Sequence, residues 1–311
     1  MQKYMKKKIN MLIKLLIATS IFYLILVFNI FHLGEDLVPS TKEYLDTPNI
    51  QEDGDLEQIY LEEDSILQEE TWHFIATTQA NIDNLCENTP ICEKISFNGN
   101  YTDIDRYLYI KIIDKILTFI DTNSTENIPI KDVVNNIEIN KENGKRRWYA
   151  TRDSIIFNIW LVQSKKEFIE LSTHEIGHIT DLWYIQWSSS IKDKKFTEFG
   201  KIVFATNDFS LSFYKISRDK EKIRKAEAKK KDFCSGYGMS DPFEDFAECF
   251  NLYINHNSFF REIAKTNTIL KKKYNNIASI FDGKYVSASS KDLVLIKNNL
   301  TRRPRDTTKI N

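Results

Sequence analysis

The sequence has little that would give it a one-sided electrostatic field. Its 43 Lys and Arg are balanced by 44 Asp and Glu, for a formal net charge of −1. No global attraction therefore draws the chain to nucleic acid. Glycine and proline are scarce, at 9 and 6 residues, while Ile, Lys and Asn are plentiful; this reads as a coding bias rather than a physical signal. No internal repeat is present, which removes solenoid and array architectures. The 4 cysteines, Cys86, Cys92, Cys234 and Cys249, form no C-x-x-C pair, which argues against a structural zinc finger. At 311 residues the chain is long enough for one good domain with appendages.

The N-terminus decides the compartment. Lys3, Lys6, Lys7, Lys8 and Lys14 precede an apolar run from Leu15 to Leu33, broken by Thr19, Ser20, Asn29 and His32. The run is long enough to span a bilayer. The positive side should stay in the cytoplasm, so the rest of the chain is expected outside it. No small-x-small cleavage site closes the run and no Cys follows for lipidation. Residues 1–33 are therefore read as an uncleaved signal-anchor rather than a cleaved signal peptide. The chain is expected at the cell membrane facing outward, or secreted if the segment is removed. Residues 34–64 are acidic and aperiodic, a linker.

Residues 65–285 are expected to form one domain, and residues 286–311 a polar C-terminal tail. Ser65–Leu85 has helical apolar spacing, and Ile104–Ile120 is a stronger helix. Ile128–Ile139 and Arg147–Val162 read as strands joined by the turn-like Asn140–Gly144. Ser154–Val162 is either the edge of a cleft or a buried central strand. The mixed Lys and Glu run Arg218–Lys231 reads as a solvated helix, not a nucleic-acid patch.

The chemistry is concentrated in Ser172-Thr173-His174-Glu175-Ile176-Gly177-His178-Ile179-Thr180-Asp181, which contains H-E-x-x-H. On a helix, residues i and i+4 share a face, so His174 and His178 can turn ring nitrogens to one metal. Glu175 is then placed to take a proton from the attacking water. Phe168, Ile169, Leu171, Ile176 and Ile179 surround the histidines, so the helix looks buried, and buried rings need partners. A third ligand is expected from a later helix. Asp241-Pro242 is a helix start, with Asp as N-cap and Pro at the first helical position. Phe243, Phe246, Ala247 and Phe250 follow as an apolar stripe, leaving Glu244 and Glu248 one turn apart on another face. Glu244 is assigned as the third zinc ligand and Glu248 as a hydrogen-bond partner of a ligating His. The reverse assignment stays open, as does a merely solvated acidic face.

Export permits two disulfides. Cys86 and Cys92 enclose a short loop with Pro90; Cys234 and Cys249 bracket the second motif. Cys249 lies about 140° around the helix from Glu244, so its sulfur should point away from the metal. A Cys234–Cys249 bridge would close a loop worth about 3 kcal/mol in the chain-entropy model.

The pair H-E-I-G-H-I-T-D and Y-G-x-x-x-P-x-E-D-F-A-E resembles the catalytic domain of anthrax lethal factor and the secreted Pro-Pro endopeptidases. The resemblance implies an α+β zincin fold, gluzincin-like, mostly helical, with a small sheet before the active-site helix. It implies one Zn2+ on His174, His178 and Glu244, with Glu175 as general base. It also implies that Tyr237, seven residues before Glu244, assists the tetrahedral intermediate; a packing anchor is the other reading of that tyrosine. The function implied is a zinc metalloendopeptidase acting on extracellular protein or peptide substrates, with Pro-Pro bonds as an expected preference. Two other readings are carried: a non-catalytic zinc-stabilised binding or adhesion domain, in which Glu175 would have no purpose, and a toxin-like protease, for which delivery domains would be needed.

Overall fold

The chain divides into two units, Met1–Thr41 and Lys42–Asn311. The computed structural model describes residues 78–87, 89–141, 147–151, 153–183, 191–198, 202–286 and 303–309, all in the second unit. Among these residues no helix is long and apolar enough to cross a membrane. The anchor expected at 1–33 and the linker at 34–64 lie outside the described residues.

The fold mixes helices with small sheets, an α+β arrangement. Helix α1, Thr78–Glu87, and a 3-10 turn, Pro90–Lys94, lead into strand β1, Ile95–Asn98. The Cys86–Cys92 disulfide staples that turn. Helix α2, Asp103–Asn123, begins at a capping box: Thr102 Oγ1 accepts from the Asp105 amide at 3.1 Å, and Asp105 returns the bond to the Thr102 amide at 3.1 Å. One helical turn, Ile130–Val133, precedes β2, Asn136–Asn140; β3, Trp148–Ala150, and β4, Ser154–Asn158, follow. The sheet order is β1-β2-β4-β3, parallel except for the antiparallel β3–β4 pair. Alternation places Ile137, Ile139, Ile155 and Phe157 on the buried face. There they meet Ile113, Leu117 and Ile120 of α2 in one core.

The expected long strands hold only in part. Ile128–Ile139 gives its first half to a helical turn, and Arg147–Val162 folds back on itself after Ala150. That turn closes because the Thr151 amide donates to Ser154 O at 2.8 Å while Asp153 O takes the Asn135 amide at 2.7 Å. Consequently β4 is an interior strand, and β3 is the edge beside it.

Helix α3, Lys165–Trp183, carries the H-E-x-x-H motif and is covered by neighbouring elements along the stretch that bears it. The hairpin of β5, Lys192–Glu198, and β6, Ile202–Ala205, leads to α4, Phe209–Ser217. The run expected as a solvated helix is instead the small hairpin β7, Arg218–Lys220, and β8, Ile223–Arg224, followed by turns. Its charges lack an apolar stripe to bury as a helix, and Arg218 is drawn inward by carbonyl partners (below). Helices α5, Pro242–Asn255, α6, Asn257–Lys265, and α7, Thr268–Ile280, complete the domain.

Helix α5 starts as expected: Asp241 accepts from the Glu244 amide at 2.9 Å, with Pro242 at the first turn. It lies against α3, and Gly177 permits the approach. A Cβ there would sit 3.1 Å from Cδ1 and 3.4 Å from Cβ of Phe250. The polar tail expected over 286–311 needs correction in one part. Residues 303–309 pack into the domain, and Thr307 and Thr308 are fully buried. Their polar atoms are paired: Thr307 Oγ1 with Asn251 Nδ2, and both the amide and hydroxyl of Thr308 with Asp306 Oδ1.

Candidate metal centre and active site

Helices α3 and α5 cross so that three ligand-type atoms converge. His174 Nε2 lies 3.2 Å from His178 Nε2 and 3.1 Å from Glu244 Oε2, and His178 Nε2 lies 3.5 Å from the same oxygen. Among the described residues this is the one group of three or more His, Cys, Asp or Glu placed to hold a metal. A tetrahedral ion with ligand atoms about 2.0 Å away would hold them about 3.3 Å apart. The observed triangle has that size, so the residues fit a metal.

Glu244 is the residue of α5 that opens into the cleft, while Asp245 and Glu248 are buried. The acidic face is therefore not a solvated one. Burial works against the charge of Glu244, yet His178 and His174 hold its carboxyl well below the usual carboxylate range. Burial likewise opposes protonation of His174, but the carboxylates of Glu244, Glu248 and Glu175 outweigh it and raise its pKa. A ring so surrounded by negative charge is suited to face a cation.

Glu248 stands on the far side of the ring. Its Oε1 is 3.1 Å from His174 Nδ1, close but off the angle of a full hydrogen bond, and neither atom has another partner. It does not join the ligand triangle, which leaves Glu244 in that place.

Glu175 lies beside the cluster, 3.9 Å from His174 Nε2, and is buried. Burial pushes its carboxyl up to about 7, against the pull of the two histidines. A group poised near neutrality is suited to taking and returning a proton. The Trp148 indole favours its charged form. The Trp148 ring also meets the His174 ring edge-on, centroids 6.3 Å apart. Arg147 packs 3.9 Å over the Trp148 ring and pairs with Glu167 at the start of α3. The edge strand thus supplies the wall beside the expected base.

Tyr237 sits in a 3-10 turn, Tyr237–Met239, and its hydroxyl donates to Glu244 Oε1 at 2.9 Å. Its ring lies nearly parallel to that of His174, centroids 6.2 Å apart. Burial, then the charge of Glu244, raises its pKa well above the ordinary phenol range, so it remains a donor. The turn is held from several sides. The Cys234–Cys249 disulfide, Cα atoms 5.2 Å apart, ties it to α5. Ser235 Oγ accepts from the Gly238 amide at 3.0 Å, and buried Arg218 donates to Met239 O at 2.8 Å.

All five residues singled out in the sequence, His174, Glu175, His178, Tyr237 and Glu244, therefore meet in one place. Trp148, Arg147 and Arg218 were missed. Trp148 had only its place in a strand to distinguish it, and Arg218 lay in a run of exposed charges.

Compared with known proteins, the chain matches no family model, no curated sequence and no solved structure, so its own geometry carries the functional reading.

Proposed function

We propose that the chain is a zinc metalloendopeptidase of the zincin kind, anchored in a membrane by its N-terminal segment and acting on extracellular proteins or peptides. The observation that carries this reading is the ligand triangle of His174, His178 and Glu244, sized for a tetrahedral ion and flanked by a buried carboxylate at Glu175. Bound there, zinc would supply a Lewis acid that polarises a scissile carbonyl and acidifies water.

The chain's own residues supply the rest. Glu175 takes the proton from the attacking water and returns it to the leaving amine. The Trp148 indole N–H steadies its carboxylate while charged. Tyr237, kept protonated, turns its hydroxyl from Glu244 to the oxygen on which charge develops. Strand β3, the edge of the sheet beside Glu175, is where an extended peptide would add. The Pro-Pro preference of the proteins it resembles is the first specificity to try. Export is supported by the two disulfides, which persist in oxidising compartments.

The test is direct. The purified chain should hold about one zinc, as a single three-ligand site requires, and should cleave members of a peptide library. Chelation should abolish cleavage and zinc should restore it. Glu175→Ala should keep the zinc and lower kcat by about three orders of magnitude or more. Retained zinc with no turnover of any peptide would instead favour the non-catalytic binding domain.

A further inference from the structure

Residues 303–309 cross behind the ligand triangle and touch three of its walls. At the tyrosine turn, the Gly236 amide donates to Pro304 O at 2.9 Å and the Tyr237 amide to Arg305 O at 2.8 Å. At the edge strand, Asp306 Oδ2 accepts from Arg147 Nη2 at 2.7 Å, one residue before Trp148. At α5, the Thr307 amide donates to Glu248 Oε2 at 2.8 Å, and Asn251 Nδ2 donates to Thr307 Oγ1 at 3.0 Å. Gly236 makes room for the crossing, because a Cβ there would lie 3.3 Å from Arg305 O.

The Thr307 contact bears on the metal. Glu248 is fully buried, and its two oxygens have different neighbours. One takes the Thr307 amide; the other is left facing His174 Nδ1. A carboxylate held against the Nδ1 edge keeps the proton there and leaves Nε2 bare for a metal, and such outer partners tune affinity. Without the amide, Glu248 Oε2 would be a buried acceptor with no partner, and the carboxylate would turn to find one.

We propose that residues 303–309 form a strap that sets the metal site: Thr307 positions Glu248 against His174, while the carbonyls of Pro304 and Arg305 hold the Tyr237 turn. Thr307 is a positioning residue that acts through Glu248. The inference rests on the zinc-peptidase reading and adds to it a segment beyond the expected domain boundary.

The test uses the full chain and reads zinc affinity by competition with a chelator. Thr307 opens the 3-10 turn Thr307–Lys309, a position where proline fits; the substitution deletes the amide N–H that Glu248 accepts and also the hydroxyl that Asn251 meets. Thr307→Pro should weaken zinc binding about tenfold or more, within the range known for outer-partner losses. Thr307→Ser, which keeps both amide and hydroxyl, should bind zinc as wild type does, while metal-free Thr307→Pro should melt lower because two buried groups lose a partner. Equal zinc affinity in Thr307→Pro and wild type overturns the proposal. Should Thr307→Pro fail to fold, Asp306→Ala with Thr307→Val loosens the strap by its side chains alone. A folded double variant with weakened zinc binding supports the strap, and wild-type affinity overturns it. Failure of the underlying reading is distinguishable, since wild-type protein would then bind no zinc at all.

Discussion

Glu244 and Asp245 are adjacent on α5, and about 100° of helix rotation puts them in opposite surroundings. Glu244 faces the cleft, where its partners are two imidazoles and a phenol. Asp245 faces inward. It accepts from Lys273 Nζ at 2.6 Å and from Ser217 Oγ at 3.2 Å, and Lys273 also donates to Asp232 O at 2.8 Å. Burial raises the Asp245 carboxyl and lowers the Lys273 amine, each opposed by the other's charge. The same functional group is thus a candidate ligand at one position and a strut at the next. The difference lies in whether the protein already provides a cation. Where it does, the carboxylate is satisfied and structural; where its partners are imidazoles, whose protons a metal can displace, the site has capacity for a metal.

Substitution at the two positions should separate these roles, and the effects are the largest expected. Glu244→Ala should cost zinc binding and lower activity by about three orders of magnitude or more, since it removes a ligand, with the metal-free protein about as stable as before. Asp245→Ala should do the reverse to the fold. It strands a fully buried lysine and should destabilise by about 3–5 kcal/mol. Replacing both members, Asp245→Leu with Lys273→Met, should recover most of that loss. Urea melts of the metal-free proteins and zinc titrations read the two axes. The comparison breaks if Asp245→Ala loses zinc while remaining as stable as wild type.

A smaller effect sharpens the cleft side. Tyr237 shares Glu244 with the histidines, and its hydroxyl is not needed to hold the ligands together. Tyr237→Phe should lower kcat about a hundredfold with KM little changed, the pattern of a donor that acts in the transition state. Steady-state kinetics on one peptide suffices. Unchanged kcat would make the tyrosine a packing anchor.

How much of this could be read from the chain follows the range of the interactions. His174, Glu175 and His178 were legible because one helical turn fixes their geometry. Glu244 and the Asp241-Pro242 start were legible from capping chemistry and an apolar stripe. For the Cys234–Cys249 bridge, position on that helix showed only that the Cys249 sulfur points away from the metal; export permitted the pairing without fixing it. The sheet was half legible: two strand-like stretches stood out, but pairing order is set by contacts between distant segments, so the fold-back after Ala150 and the edge position of β3 were not. Glu248 beside His174 was legible from the same one-turn spacing; what holds Glu248 and the tyrosine turn was least legible. Arg218 looked like one more exposed charge, and its burial depends on carbonyls 20 and 21 residues away. Thr307 sat in a polar segment with no period, and the amide it contributes to Glu248 has no side-chain signature at all.

A last effect, one of pH rather than of a single condition, concerns the far end of the motif helix, where a third carboxylate can be set beside Glu244 and Asp245. Asp181 is fully buried and receives the Tyr214 hydroxyl, and its Oδ1 has no partner. It has no lysine like that of Asp245, and of the rings that face Glu244 only the charge of His178 reaches it, more weakly than burial acts. Burial accordingly pushes its carboxyl up to about 8, with Asp208 nearby adding to the rise and Ser210 and Tyr214 opposing it. The folded chain thus binds this proton more tightly than the unfolded chain, whose aspartates titrate near 3.9. The contribution is fully present below about pH 4 and is lost as pH rises toward about 8, because only the unfolded state ionises freely over that window. The limit for one proton is about 1.4 kcal/mol per pH unit. Asp181→Asn cannot ionise and should flatten the fall in stability between about pH 5 and pH 7.5, whatever it does to stability at a single pH. Urea melts of both proteins across that range read the slope. If the variant loses stability as steeply as the parent, Asp181 is ionised in the fold and must have a cation partner after all.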